Sequence, residues 1–182
     1  MGLVEGQHPV ANFQKDIEQL NLLSVKEAES EFLKCCGSRS WALQMAEARP
    51  FASFNELTET ADRTWWELES GDWLEAFHSH PRIGERKAAT STSEQSRNWS
   101  AAEQAGVSNA AAQTLQALAD LNKEYEDKFG YIFIVCATGK SSDEMLAILR
   151  GRLQNNPDEE LRIAAAEQAK ITELRLKKLV EI

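Results

Sequence analysis

The stretch LNKEYEDKFGYIFIVCATG, residues 121–139, decides the fold. Its first part continues an apolar pattern with helical spacing, and Gly130 is suited to end that helix. The run YIFIVCA, residues 131–137, is short, apolar and rich in β-branched side chains, which is typical of a buried strand. No other run in the sequence has this character, so we predict one isolated extended segment among helices.

An extended segment without a partner strand has a hydrogen-bonding problem. Its backbone N–H and C=O groups have no ladder, although buried backbone groups need partners. Helix ends, side chains or a second subunit can supply them, which is the simpler interpretation. Alternatively, some of these groups face a cavity and bind a flat, amide-rich ligand. The sequence leaves both interpretations open.

Amphipathic helical patterns occupy most of the remaining chain. Capping boxes, in which a capping residue precedes a glutamate by three positions, predict helix starts at Ser24, Ser53, Asp72, Ser100 and Ser141. About eight helices result, and neither a repeat nor a linker divides the chain. We therefore predict an all-α, single-domain bundle over residues 1–182, with residues 1–10 as a loose lead-in.

The composition argues against several classes of protein. A net charge of −9 at pH 7 disfavours nucleic acid or an anionic membrane surface as the main partner. No run of about 18 apolar residues is present, and the N-terminus has no secretory pattern. The three cysteines, two of them adjacent, do not form a disulfide framework. We expect a cytoplasmic protein with neither a nucleic-acid nor a membrane partner.

The stretch FHSHPRIGE, residues 77–85, is the strongest candidate for chemistry. A residue before proline is disfavoured in the α region, so His80 is predicted to lie where a helix stops. The negative end of a helix favours a protonated imidazole, which suits a proton donor. A turn histidine that only caps helix carbonyls is the simpler interpretation. His78 and His80 point to different sides of a helix, so no metal site is predicted.

Two further side chains are candidate partners of this histidine. Glu103 follows Ser100 in a pattern that indicates the first turn of a helix, where a capping role is the ordinary interpretation. A functional role requires its carboxylate to reach His80 and orient the ring. Glu94 stands in a similar pattern and is a rival. Arg175 either covers the core with its aliphatic stem or anchors a carboxylate or carbonyl group.

Five motifs, in order along roughly residues 10–178, resemble the 2-oxo-4-hydroxy-4-carboxy-5-ureidoimidazoline (OHCU) decarboxylase family of urate breakdown. The motifs are RPF at 49–51, H-P-x-x-G at 80–84, S-x-x-E-Q-A-G at 100–106, the stretch at 121–139, and ELRL at 173–176. The Ala-Gly pair after the third motif favours Glu103 over Glu94. Ile132 departs from the proline that many members have at this position.

The resemblance implies an all-α fold, usually dimeric, that needs neither a metal nor an organic cofactor. It also implies decarboxylation of OHCU to (S)-allantoin and carbon dioxide, the last step of urate degradation in purine catabolism. By position, His80 matches the catalytic histidine and Glu103 its carboxylate partner. The residues that match substrate contacts, largely through main chain in the last run, are Arg175, Pro81, Ser100, Ala101, Ala102, Glu103, Gln104, and Phe133, Ile134, Val135, Cys136 and Ala137.

The sequence is compatible with more than one role for His80 and with more than one function. His80 either donates the final proton or polarises the substrate hydroxyl earlier. A non-catalytic helical module that binds a protein through its acidic surface is the alternative function, and it predicts no closed polar cavity at His80. A metal-dependent hydrolase that uses His78 and His80 is a further rival, which metal analysis would test.

Overall fold

The computed structural model describes residues 13–83, 93–107 and 112–180. Within these ranges the chain forms nine α-helices and no strand, which confirms the all-α prediction with one helix more than expected. The helices are α1 (Phe13–Leu22), α2 (Val25–Cys35), α3 (Arg39–Glu47), α4 (Phe54–Trp66), α5 (Ser70–His78), α6 (Glu94–Glu103), α7 (Ala112–Phe129), α8 (Ser142–Arg152) and α9 (Pro157–Val180). A 3₁₀ turn, Ala105–Val107, follows α6.

The long helix α9 runs against α1, α2, α4 and α5 and organises the core. Buried indole rings join neighbouring helices by hydrogen bonds as well as by packing. Trp41 Nε1 donates to the Ala61 carbonyl at 3.1 Å, which links α3 to α4. Trp65 Nε1 donates to the Ala165 carbonyl at 3.0 Å, which links α4 to α9. The helices therefore enclose one cluster of buried apolar side chains.

Residues 132–137 form the predicted extended segment between α7 and α8, with neither helical nor strand pairing. Side chains supply some of its hydrogen bonds. Arg152 Nη1 donates to the Ile134 carbonyl at 2.6 Å. The Cys136 N–H donates to Glu167 Oε2 at 2.7 Å. The simpler of the two interpretations, partners within the protein, thus accounts for part of the segment.

Capping explains several helix starts. The capping boxes predicted at Ser24 and Ser141 are confirmed. The Ser53 side chain also caps α4. The box predicted at Asp72 is wrong, because α5 begins at Ser70 and has no side-chain cap.

The helix start predicted at Ser100 is also wrong. Helix α6 begins at Glu94, with the Ser93 side chain as its cap. Ser100 and Glu103 lie in the last turn of α6, three residues apart and therefore on one face. Both side chains bond Arg175 instead of capping a first turn.

Two further sequence predictions concern the chain as a whole. Of the helices in the described ranges, none combines the length and apolar character needed to cross a bilayer. The predicted lead-in, residues 1–10, lies outside the described residues. The organisation of residues 1–182 as a single domain stays a prediction.

Candidate active site

Helix α5 ends just before His80, as the proline rule predicted. The His80 N–H donates to the Phe77 carbonyl at 3.1 Å, and the chain then turns into Pro81. A Cβ atom at Gly37 would lie 2.3 Å from Ser79 Oγ and 2.4 Å from Ser79 Cβ. A side chain at Gly37 would therefore displace the turn that carries His80.

The imidazole of His80 hydrogen-bonds to Gln168. His80 Nε2 lies 2.7 Å from Gln168 Oε1, and Gln168 is completely buried on α9. A direct hydrogen bond between His80 and Glu103 is absent among the described residues, and the role of Glu103 as the carboxylate partner of His80 stays a prediction. The physical reason is that Arg175 engages the Glu103 carboxylate.

Arg175 binds both oxygens of the Glu103 carboxylate. Its Nε donates to Oε1 at 2.9 Å and its Nη2 donates to Oε2 at 2.8 Å, which is the bidentate geometry that a guanidinium favours. Arg175 Nη2 also donates to the Ser100 hydroxyl at 2.9 Å. Lys178 Nζ lies 3.7 Å from Glu103 Oε1. Arg175 and Lys178 together carry one more charge than Glu103 balances, so this cluster has an excess of positive charge.

His80 is neutral at pH 7. Its pKa is lowered to about 3, first by burial and then by the Arg175 guanidinium, while the hydrogen bond to Gln168 acts in the opposite direction. The protonated imidazole that the helix end suggested is therefore wrong. The helix dipole is a partial charge, whereas desolvation and a full buried cation both disfavour the imidazolium. A neutral ring has one nitrogen that can accept a hydrogen bond or a proton.

A cavity lies between these side chains and the extended segment. It has a volume of about 20 Å³, which is room for about one water molecule. Besides Ile83 and Ile171, its wall consists of predicted site residues, namely His80, Pro81, Ser100, Glu103, Gln104, Phe133, Ile134, Val135 and Ala137. The structure thus brings together most of the residues that the sequence selected.

Four predicted site residues lie outside the cavity wall. Ala101 and Ala102 are on the exposed side of α6. Cys136 is buried and its N–H bonds Glu167. Arg175 stands behind Ser100 and Glu103 and contacts both. Direct substrate contacts by these four residues stay predictions.

Phe133 and Val135 line the cavity, and their backbone N–H and C=O groups are available to bind a ligand. No described residue hydrogen-bonds to the N–H or C=O group of either one. Buried backbone groups need partners, and a polar ligand in the cavity would supply them. This part of the extended segment fits the second interpretation, in which the backbone binds a ligand.

Two larger grooves lie elsewhere on the molecule, with volumes of about 420 and 400 Å³. Neither groove contains a predicted site residue, so the chemistry of the wall identifies the site better than its volume does. The second groove includes His78, whose Nδ1 lies 2.6 Å from the Leu74 carbonyl of its own helix. Within the described ranges, no group of three potential metal ligands is present.

Gln168 is the contact that the sequence analysis missed. It precedes Arg175 by seven positions on α9, so the two side chains lie about two turns apart on one face. Thr172 lies between them on the same face. These three polar residues interrupt an otherwise apolar face of the helix. That pattern in the sequence could have indicated that Gln168 belongs to the site.

The sequence model of the OHCU decarboxylase family matches residues 21–177 of this chain. The chain belongs to the OHCU decarboxylase family. The uric acid degradation bifunctional protein TTL of Arabidopsis thaliana is 41% identical over 158 residues, which cover 86% of this chain and 48% of that protein. The chain therefore spans about half the length of this relative.

Other members of the family match over more of their length. A 2-oxo-4-hydroxy-4-carboxy-5-ureidoimidazoline decarboxylase of Haloferax volcanii is 28% identical over 161 residues, which cover 88% of this chain and 93% of that protein. A solved structure, described as OHCU decarboxylase in the presence of (S)-allantoin, has a TM-score of 0.72 and 42% identity, and the match covers 84% of this chain and 98% of that one. The fold described above is thus the fold of the family.

Proposed function

We propose that this chain decarboxylates OHCU to (S)-allantoin and carbon dioxide, the last step of urate degradation. One observation carries the proposal: a single cavity brings together His80, Glu103 and the backbone of the extended segment in a member of this family. A relative that is 42% identical was solved in the presence of (S)-allantoin, which supports the product.

Local charge supports an anionic substrate. The chain carries a net charge of −9, yet Arg175 and Lys178 together exceed the single negative charge of Glu103 beside the cavity. The neutral ring of His80 adds no charge. An excess of positive charge beside the cavity attracts the carboxylate of a small substrate, although the protein as a whole is acidic.

The neutral ring also suits the chemistry. Decarboxylation breaks the bond between carbon 4 and its carboxylate. The electron pair moves through carbon 5 onto the nitrogen of the ring C=N bond, and that nitrogen takes up one proton from solvent. The hydroxyl on carbon 4 then loses its proton to become a carbonyl group, and carbon 5 gains a proton and becomes the stereocentre of allantoin. A neutral His80 accepts a proton rather than donating one first, so it is suited to polarise the hydroxyl.

Glu103 and the extended segment position the substrate in this proposal. The bidentate bond to Arg175 holds the Glu103 carboxylate in one orientation, from which it can accept hydrogen bonds from ureido N–H groups. Backbone groups of Phe133 and Val135 can bond the ring amides. The cavity of about 20 Å³ is smaller than this substrate, so we expect the wall to open on binding.

The test is to generate the unstable intermediate from urate in situ and follow the circular dichroism of the allantoin formed. Spontaneous decay gives a racemate, whereas this chain should give one enantiomer. His80→Ala should remove most of the rate while leaving the helical content intact. His78→Ala is the matched control and should retain the rate, because His78 bonds its own helix. A racemic product from the unmodified chain would contradict the proposal.

The remaining expectations belong to the same proposal. The non-catalytic helical module required the absence of a closed polar cavity at His80, and the cavity found there argues against it. The homodimer, the cytoplasmic location and the lack of a nucleic-acid partner or a cofactor stay predictions. Sedimentation of the purified chain would test the dimer.

A further inference from the structure

A relay of hydrogen bonds determines which nitrogen of His80 carries a proton. Gln168 Nε2 donates to Thr172 Oγ1 at 3.1 Å, which directs the amide oxygen of Gln168 toward His80. That oxygen lies 2.7 Å from His80 Nε2. In this orientation the amide oxygen faces the ring, and because an amide oxygen only accepts hydrogen bonds, the geometry assigns the proton of the neutral ring to Nε2. Both relay residues are buried, with exposed fractions of 0% for Gln168 and 6% for Thr172.

We propose that Gln168 is a positioning residue that holds His80 in the Nε2–H tautomer and leaves Nδ1 with an unshared electron pair. Among the described residues, none hydrogen-bonds to His80 Nδ1. Nδ1 is therefore the atom of the ring that can accept the substrate's hydroxyl proton. The inference rests on the proposed function, because the electron pair matters to catalysis only if His80 acts on a substrate.

Helix α9 makes this positioning rigid. Gln168 bonds His80 and Arg175 bonds Glu103, and both lie on one face of the same helix. The two cavity residues do not bond each other, so their relative orientation is set through α9. A site that is supported from one regular element holds its geometry more accurately than a site on loops.

His78 provides an internal reference. Its Nδ1 lies 2.6 Å from the Leu74 carbonyl, which can only accept a hydrogen bond. His78 Nδ1 must therefore carry a proton, and the neutral ring is the opposite tautomer from His80. Two histidines that are two residues apart should thus give opposite signals in one experiment.

The tautomers can be read directly by nitrogen NMR of the ¹⁵N-labelled full chain at about pH 8, above the ordinary imidazole pKa of about 6.5. The sequence holds three histidines, and the signals of His80 are assigned by their loss in His80→Gln. We expect a proton on Nε2 of His80 and on Nδ1 of His78. A proton on Nδ1 of His80 would overturn the proposal whatever the activity.

Variants separate positioning from packing. Gln168→Leu removes both amide hydrogen bonds at similar volume, so we expect a mixture of His80 tautomers and a kcat lowered about tenfold, with KM nearly unchanged. Gln168→Glu restores an oxygen acceptor and should recover the Nε2–H signal and most of the rate. Thr172→Val removes the acceptor that orients the Gln168 amide and leaves Gln168 itself unchanged. This variant replaces Gln168→Leu in the experiment if Gln168→Leu does not fold. A His80 tautomer that is unchanged in the folded variants would contradict the positioning role.

Failure of this inference can be told apart from failure of the proposed function. The NMR measurement needs no substrate. Chiral allantoin at an unchanged rate from Gln168→Leu would overturn the positioning role and leave the decarboxylase proposal standing. Racemic allantoin from the unmodified chain would overturn the decarboxylase proposal, and with it the catalytic meaning of the tautomer.

Discussion

Two buried arginine–glutamate pairs lie at opposite ends of α9 and serve different parts of the molecule. Glu160, near the start of α9, accepts a hydrogen bond from Arg152 Nε at 2.6 Å. Arg175, about four turns further along, binds Glu103 in the bidentate geometry described above. The chemical unit is the same, so any difference between the two pairs comes from their surroundings.

The Arg152–Glu160 pair is closed by protein groups on all sides. The Tyr125 hydroxyl donates to Glu160 Oε1, and Asn155 Nδ2 donates to Oε2 at 2.7 Å. Arg152 also bonds the Ile134 carbonyl, so this pair holds the extended segment in place. Neither charged side chain lines a cavity described above. We infer that the role of this pair is structural.

The Arg175–Glu103 pair keeps one side open. Glu103 lines the cavity, and its outer neighbour Lys178 has a side chain that is 36% exposed. A charged pair that is saturated by protein stabilises a fold or specifies it, whereas a pair with one face on a cavity retains capacity for a ligand. The comparison therefore predicts matched mutations with different consequences.

Replacing the carboxylate of each pair by an amide should give the largest effect. Glu103→Gln and Glu160→Gln each leave an arginine buried without a counter-charge, so the free energy of unfolding should fall by about 3–5 kcal/mol in both. Glu103→Gln should also lower the kcat of the folded protein by about 100-fold, because its carboxylate lines the cavity. Glu160→Gln should change that kcat less than about threefold. Chemical denaturation and chiral allantoin formation measure the two quantities.

Glu173→Gln is the control for this pair of variants. Glu173 lies on the same helix and is exposed, so its replacement should change stability by less than about 0.5 kcal/mol. Equal losses of kcat in Glu103→Gln and Glu160→Gln, after correction for the folded fraction, would show that the distinction between an open and a closed pair is wrong.

The positions of the site residues could be predicted where a local rule decides them. His80 follows a helix end because a proline comes next, and the extended segment is defined by its own composition. The pattern at Ser100 did not predict a helix start correctly, because Ser93 caps the same helix about two turns upstream. A local motif predicts a local structure only when no neighbouring motif offers the same hydrogen bond earlier.

The partners of those residues could not be predicted from local patterns. Gln168 lies 88 positions from His80, and Arg175 lies 72 positions from Glu103. The charge of His80 was missed for the same reason, since the helix dipole is a local effect whereas burial and Arg175 are tertiary effects. Residue types identify the site, but the bonds between them depend on how α5, α6 and α9 pack.

The pH dependence of stability gives the next largest expected effect. It tests only the surroundings of the cavity, where His80 and the Arg175–Glu103 pair lie. His80 has a pKa of about 3 in the folded chain and an ordinary value near 6.5 when unfolded. Between these two pH values the unfolded chain binds more protons than the folded chain. The contribution of His80 to the stability of the folded chain is therefore complete above about pH 6.5 and is lost as the pH falls. Lowering the pH from about 7 to 5 should cost about 2 kcal/mol through His80.

Denaturation of the unmodified chain and of His80→Gln at both pH values isolates this contribution, because all other titrating groups are shared. His80→Gln should show a shallower loss of stability with falling pH. His78→Gln should keep the slope of the unmodified chain. Parallel curves for His80→Gln and the unmodified chain would mean that His80 is not held neutral by its surroundings.

The smallest expected effect comes from variants that remove one outer hydrogen bond from each arginine–glutamate pair. These variants compare the two pairs most directly, because each pair itself stays intact. Ser100→Ala takes away the second acceptor of Arg175 Nη2, and Asn155→Ala takes away the donor to Glu160 Oε2. Each bond involves a charged group, so each variant should lose about 1–2 kcal/mol in the free energy of unfolding. Denaturation curves measure that loss.

Only the open pair should transmit this change to the substrate. Without Ser100, Arg175 can tilt, and the Glu103 carboxylate tilts with it, so KM for chiral allantoin formation should rise about two- to fivefold. Asn155→Ala should leave KM unchanged, because Glu160 has no face on the cavity. A different result would be a Ser100→Ala variant that loses the expected stability and still keeps its KM unchanged. That result would show that the bond between Arg175 and Ser100 stabilises the fold without affecting how Glu103 binds the substrate.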